Sequence, residues 1–185
     1  MSTCIKAGIL GGIVLFIWSA VSWMALPWHE QTIHSFKDGQ AVVNTMMANV
    51  SKSGIYFFPS IHPETTDSGL EIKQPPAASQ AQEPMVFASI HLEGMQPMWL
   101  SMIIALAYSI VAACFVAWML SKTAGLNYIG RVAFVVSFAL AAALITSLAG
   151  WNWLRFDIQY TLVMIADMLI GWFLAGLVMA KVCKR

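Results

Sequence analysis

The stretch MWLSMIIALAYSIVAACFVAWML, Met98–Leu120, contains no charged residue and is long enough to cross a lipid bilayer as one helix. A hydrocarbon core of ~30 Å requires ~20 apolar residues at the rise of an α-helix. Three other stretches have comparable length and hydrophobicity, namely Ala7–Leu26, Val132–Gly150 and Thr161–Ala180. The sequence therefore predicts an all-α integral membrane protein, a bundle of four transmembrane helices.

The composition of the chain agrees with a membrane protein. Of 185 residues, 59% are hydrophobic and 10% are charged, whereas soluble domains carry ~25% charged residues. No basic stripe interleaved with aromatic residues occurs, so the sequence gives no support to nucleic-acid binding. The lipid bilayer is the first expected partner.

The charges outside the spans are distributed asymmetrically. One side carries only basic residues: Lys6, Lys122, Arg131, Lys181, Lys184 and Arg185. The other side carries every carboxylate except that of Asp167, together with four basic residues. The positive-inside rule then predicts a multi-pass protein of the inner (cytoplasmic) membrane, with both termini in the cytoplasm. The first span is expected to remain as an anchor, because it is longer than a typical signal-peptide core.

Three regions follow from this topology: residues 1–26 with the first span, residues 27–97 outside the membrane, and residues 98–185 with spans two to four. The middle region is predicted to form a small extracytoplasmic α+β cap. Its elements are an amphipathic helix over His34–Ser51 and a hairpin of Ile55–Phe58 with Met85–Ile90. Residues 60–84 are rich in Pro, Ser, Thr and Gln and are predicted to be a disordered loop.

Small residues recur four apart in three spans and predict close helix packing. The pairs are Gly8/Gly12, Ala133/Ser137/Ala141, Ala139/Ala143/Ser147, Gly171/Ala175 and Gly176/Ala180. Packing of the bundle against itself is the favoured interpretation, and a homo-oligomer interface is the alternative.

Asp167 is the strongest candidate for a functional residue. It lies about seven residues into the fourth span, roughly 10 Å below the outer boundary at the helical rise. A carboxyl group at that depth is costly, so it must face the bundle and be protonated or paired. The expected partners are hydroxyl groups, among them those of Ser22 and Tyr108. The two interpretations are a proton- or ion-linked site and a neutral carboxyl group that bridges helices.

A second candidate site combines imidazole and thioether groups on the outer side. Its residues are His29, His34, His91, Met95 and Met98. Imidazole with thioether suits copper, although methionine more often fills gaps in a core. The zinc-protease pattern is excluded, because His29 and His34 are five residues apart rather than four.

A third group, Glu30, Arg155 and Asp157, is expected to form an ion network at the outer interface. No Gly-rich phosphate loop or nucleophile–base pair occurs in the sequence, so we do not expect an enzyme. The sequence favours a non-catalytic scaffold, assembly or accessory component that binds a protein partner through its outer cap. The alternative is a protein that handles copper or a small solute at the His/Met cluster or at Asp167.

Overall fold

The computed structural model describes residues 3–59, 64–65, 71–72 and 84–183, and most of them are helical. The helices and strands, in chain order, are α1 (Thr3–Ala25), a 3₁₀ turn (Glu30–Thr32), α2 (Gly39–Asn49), β1 (Gly54–Phe58), β2 (Glu64–Thr65), β3 (Glu71–Ile72), β4 (Val86–Ile90), α3 (Met98–Leu120), α4 (Tyr128–Trp153) and α5 (Ile158–Val182). The chain divides into a helical unit, 1–34 with 96–185, and a second unit, 35–95.

Four helices, α1, α3, α4 and α5, are long and apolar enough to cross a membrane. The prediction of four candidate spans is confirmed. Helices α1, α4 and α5 begin before the predicted apolar runs, and at α4 and α5 a polar cap sets the start. The Asn127 side chain accepts a hydrogen bond from the Gly130 amide at the start of α4, and Asp157 accepts from Gln159 and Tyr160 at the start of α5. Such caps satisfy amide groups that the first helical turn leaves unpaired.

Helix α1 lies between α3 and α5 and packs against both of them. Its glycines allow the backbones of α1 and α3 to touch. A Cβ atom added at Gly12 would lie 2.4 Å from Ile110 Cα, and one added at Gly8 would lie 2.5 Å from Cys114 Cα. The Gly8/Gly12 pattern therefore serves packing within the chain, as the sequence favoured.

Helix α4 packs mainly against α5. Its two stripes of small residues differ in environment, since Ala139 and Ala143 are buried, whereas Ala133, Ser137 and Ala141 are exposed. One stripe thus faces α5, and the other lies on the surface of the helical unit. The buried apolar core lies where α3 ends and α4 begins, and it includes Ala7, Val116, Ala117, Leu120, Val135, Ala175 and Met179.

The 35–95 unit combines one helix with a two-stranded ribbon. Helix α2 is shorter than the predicted His34–Ser51, because the Asp38 side chain accepts from the Ala41 amide and fixes the start at Gly39. Strands β1 and β4 pair antiparallel, with Gly54 opposite Ile90 and Phe58 opposite Val86. This pairing is the predicted hairpin.

The proposed disordered loop falls mostly outside the described residues. Within it, the structure describes the strand pair β2 and β3, with Glu64 opposite Ile72 and Thr65 opposite Glu71. These four residues are therefore paired rather than irregular.

Candidate functional site

Asp167 is held by an indole group and not by one of the hydroxyl groups that the sequence suggested. The Trp18 Nε1–H donates to Asp167 Oδ1 at 2.7 Å and to the Asp167 backbone oxygen at 3.1 Å. The shorter distance is at the lower end of the range for a donor bonded to an ionised carboxylate. The prediction of a hydroxyl partner was wrong, because Trp18, at a similar depth in α1, donates the hydrogen bond to the carboxyl group.

The contact between α1 and α5 places these two side chains together. Gly171, one turn after Asp167 along α5, leaves room for the Trp18 ring, since a Cβ atom there would lie 2.8 Å from Trp18 Cδ1. The indole thus lies over the backbone of α5 with its N–H directed toward Asp167. A glycine on α5 and a tryptophan on α1 together create the pairing.

The chain folds back against the helical unit directly after α1. In this turn the Gln31 amide donates to the Pro27 carbonyl at 3.1 Å, and the His29 side chain is only 2% exposed. The His29 ring stacks on Trp23, with ring centroids 3.8 Å apart and planes 10° apart. This turn brings an imidazole to within 3.8 Å of the second carboxylate oxygen of Asp167.

Ser22 connects the imidazole with a second indole. Trp28 Nε1–H donates to Ser22 Oγ at 3.0 Å, and Ser22 Oγ lies 3.0 Å from His29 Nε2. The other ring nitrogen of His29, Nδ1, is buried and has no hydrogen-bond partner among the described groups. The described hydrogen bond of the His29 ring is therefore the one with Ser22, and Nε2 lies too far from Asp167 Oδ2 for a direct hydrogen bond.

A cavity of about 290 Å³ opens beside Asp167. Its polar wall is formed by Asp167, Ser19, Tyr108 and Ser109. Its apolar wall is formed by Leu15, Trp18, Ala112, Met164, Met168, Gly171 and Trp172. A mostly apolar cavity with a few convergent polar groups is the usual form of a small-molecule site. Tyr108 therefore lies on the same cavity as Asp167, as a wall residue rather than as its hydrogen-bond partner.

The five residues of the suggested copper site fall in different units. His29, His34 and Met98 belong to the helical unit, and His91 and Met95 belong to the 35–95 unit. His29 is buried against Trp23 and Ser22, whereas the other four side chains are exposed. Among the described residues, no group of three or more His, Cys, Asp or Glu side chains could hold a metal ion. Copper binding through the thioethers stays a prediction.

The three residues of the suggested ion network have separate roles in the part of the chain that the structure describes. Asp157 caps α5, where its Oδ1 accepts from the Gln159 and Tyr160 amides. Arg155 occupies the left-handed backbone region, with φ of 55°, in the turn between α4 and α5. Glu30 begins the 3₁₀ turn. The ion pairs between described residues do not include any of the three.

Sequence reasoning missed two members of the Asp167 cluster. Trp18 lies seven residues before the end of α1, and Asp167 lies nine residues after the start of α5, so their depths match. A search for any hydrogen-bond donor at that depth, rather than for hydroxyl groups alone, would have found Trp18. His29 carries no such signal, because its burial depends on the turn after Pro27. No family model, curated protein or solved structure matches this chain.

Proposed function

We propose that the protein is a non-catalytic accessory or scaffold component of the inner membrane, which binds a protein partner through the 35–95 unit. Exposed apolar side chains on that unit carry this proposal. Phe36 is 67% exposed, Ile55 63%, Met47 56% and Val43 50%. Lipid accounts for comparable exposure on the four long helices but not on a segment rich in carboxylates and outside the spans.

The ribbon of the 35–95 unit favours a protein as the occupant of this surface. A ribbon of only two strands is marginally stable by itself and requires further packing. Its outer edges carry backbone groups to which a third strand could pair. A partner that covers Ile55 and adds to the ribbon would satisfy both requirements.

The proposal includes a topology in which the 35–95 unit is extracytoplasmic and both termini are cytoplasmic. The one-sided distribution of basic residues supports it. A reporter fused after Arg185 should be active only if it functions in the cytoplasm. A reporter inserted at Gly69 should be active only if it functions after export, and a cytoplasmic signal from that position would contradict the topology.

Partner binding can be tested by photocrosslinking in intact cells. A photoreactive benzoylphenylalanine that replaces Ile55 should give one discrete adduct with another protein. The same group in place of Asn44, an exposed polar residue of α2, is the matched control and should give far less of it. Adducts with lipid alone at position 55 would contradict the proposal, and an adduct with a second copy would identify the partner as the protein itself.

A second candidate function is the handling of a small solute within the membrane. The observation that favours it is the 290 Å³ cavity, where Asp167 stands beside hydroxyl groups in an apolar wall. Four spans make a poor transporter alone, since alternating access usually requires two repeats. This candidate therefore implies solute binding, or transport by an assembly of several copies.

A further inference from the structure

We infer that the cavity beside Asp167 binds a small lipophilic cation, an amine or quaternary ammonium compound with a compact apolar body. This inference rests on the second candidate function, the small-solute site, and names the chemical class of the solute. It does not depend on partner binding by the 35–95 unit.

The first argument is the charge of the site. Asp167 is the only Asp or Glu on α1, α3, α4 and α5, and its side chain is 14% exposed. Within the described part of the chain, the one side chain that donates to its carboxyl group is the Trp18 indole, which carries no charge. The nearest ion-pair candidate among the described residues is His29, at 3.8 Å, and its Nε2 is already engaged by Ser22. A carboxylate in an apolar wall is stabilised most by a cation close to it.

The second argument is the composition of the wall. Two indole rings, those of Trp18 and Trp172, line the same cavity as Asp167. The face of an indole attracts an ammonium group, more strongly when water is excluded. Oxygen atoms of Ser19, Tyr108 and Ser109 add hydrogen-bond acceptors for an N–H group. The remaining wall is apolar and matches the body of a lipophilic ligand.

The third argument concerns size and access. A cavity of about 290 Å³ is at the lower end of the range for small-molecule sites, so the ligand must be compact. Tyr108 is 62% exposed and also lines the cavity. The cavity therefore opens at the surface of the helical unit, where a lipophilic ligand dissolved in the bilayer could enter from the side.

The cavity at the other end of the helical unit differs from the Asp167 cavity in the hydrogen bonding of its polar groups. It measures about 530 Å³ and contains the Arg131 side chain. Its guanidinium already donates to the Cys183 carbonyl at 2.9 Å, and the hydroxyls of Ser121 and Thr123 donate to backbone carbonyls. The polar groups at that end are committed to helix ends, whereas Asp167 has acceptor capacity left.

The test uses a matched pair of probes with the full-length protein in lipid nanodiscs. Benzyltrimethylammonium carries the charge, and neopentylbenzene is its neutral isostere. Isothermal titration should detect saturable binding of the cation and at least tenfold weaker binding of the isostere. Asp167→Asn should weaken binding of the cation at least tenfold, whereas Glu30→Gln, an exposed acid outside the cavity, should leave it unchanged.

A second variant keeps the test decisive if the carboxylate also matters for folding. Ala112→Phe should fill the cavity mouth from an exposed position on α3 and abolish binding while the protein still folds. Ala133→Phe, at an exposed alanine of α4, is the matched control and should bind as the unmodified protein does.

Equal binding of the two probes would refute recognition of a cation but would still support a small-solute site. Absence of saturable binding for both probes would overturn the cation and the solute function together. Binding of the cation that survives both Asp167→Asn and Ala112→Phe would place it elsewhere and overturn the inference. None of these outcomes bears on the crosslinking from position 55, so the two proposals fail separately.

Discussion

The helical unit and the 35–95 unit differ in how far they bury their apolar side chains. The helical unit buries a core in which Ala7, Val135 and Met179 are fully enclosed, and its helices approach to backbone contact. In the 35–95 unit, no residue that the structure describes is buried. The first unit therefore encloses a core of its own, whereas the second encloses none of its described side chains. Substitutions at four sites, with their controls, would break or sharpen this contrast.

The largest effect is expected from Gly12→Ala. The new Cβ atom would lie 2.4 Å from Ile110 Cα, and a backbone atom cannot move aside as a flexible side chain can. Overpacking of this kind costs about 1–3 kcal/mol. Thermal unfolding in detergent, followed by circular dichroism, should show the loss.

The matched control is Gly39→Ala at the start of α2, where an added Cβ atom meets nothing within 4 Å. There the change should hold or raise stability by about 0.4–1 kcal/mol, because alanine restricts the unfolded chain more than glycine does. Equal losses at positions 12 and 39 would refute the difference between the two units.

The next largest effect concerns Asp167 and its indole donor. Asp167→Asn keeps an acceptor for Trp18 Nε1–H and removes the ionisable group, so the free energy of unfolding should hold or rise. Asp167→Leu removes the 2.7 Å side-chain acceptor and leaves the indole only the backbone oxygen of residue 167, at 3.1 Å. The change should cost about 0.6–2 kcal/mol on membrane hydrogen-bond scales.

In a Trp18→Phe background the donor is absent, and Asp167→Leu should cost measurably less. A double-mutant cycle isolates this coupling energy. A coupling of zero would show that the bond from Trp18 to Asp167 does not contribute to stability.

A smaller effect is expected from His29→Phe. The phenyl ring can keep the stacking on Trp23, and the change removes both the bond to Ser22 and the unpaired Nδ1. The lost bond and the removed unpaired atom offset each other, so the free energy of unfolding should change by no more than about 1 kcal/mol. A loss well beyond that would indicate that Nδ1 has a partner in the membrane. Copper that copurifies with the protein and is lost in this variant would support the metal hypothesis.

The smallest effect concerns pH and the end of the ribbon. Ser53 Oγ–H donates to Glu93 Oε2 at 2.6 Å. This bond is the main reason why the pKa of Glu93 lies below its ordinary value of 4.5. A hydrogen bond from the Glu93 backbone and the charge of His91 lower the pKa further. A folded pKa below the unfolded one means that the contact stabilises the ribbon above the ordinary pKa and is lost as pH falls through the lowered pKa.

Ser53→Ala should therefore raise the pKa of Glu93 toward its ordinary value, which a ¹³C NMR titration of the carboxyl carbon would follow. The same variant also removes the hydroxyl that accepts from the Leu92 amide. An unchanged pKa in this variant would show that the hydroxyl group is not the main cause.

The parts of the fold that depend on local sequence could be predicted. Long apolar runs predict the four long helices, and the β-prone runs at residues 55–58 and 85–90 predict the ribbon. Helix ends were less accurate, because polar caps set them. The caps at Asn127 and Asp157 start α4 and α5 before the apolar runs, and the cap at Asp38 starts α2 five residues after the predicted first residue. Local signals therefore determine which elements form, and polar side chains determine where they begin.

The candidate site depends on contacts between distant elements and could be predicted only in part. Asp167 stood out because a carboxyl group in an apolar run is costly. Its partner did not, because the pairing with Trp18 requires that α1 and α5 touch and that Gly171 leave space for a ring. The burial of His29 could not be predicted either, because it depends on a turn that no residue pattern indicates.

The distance in sequence between Trp18 and Asp167 has a consequence for biogenesis. The two residues are separated by 149 positions, so the tryptophan of α1 is synthesised well before the aspartate of α5. If the helices insert in that order, the carboxyl group, which is costly in lipid, arrives when its donor is already in place. A chain truncated before α5 would leave Trp18 and Gly11, which contacts Met179 of α5, without their partners, whereas Gly8 and Gly12 would keep their contacts with α3. An α5 segment supplied in trans could complete the assembly.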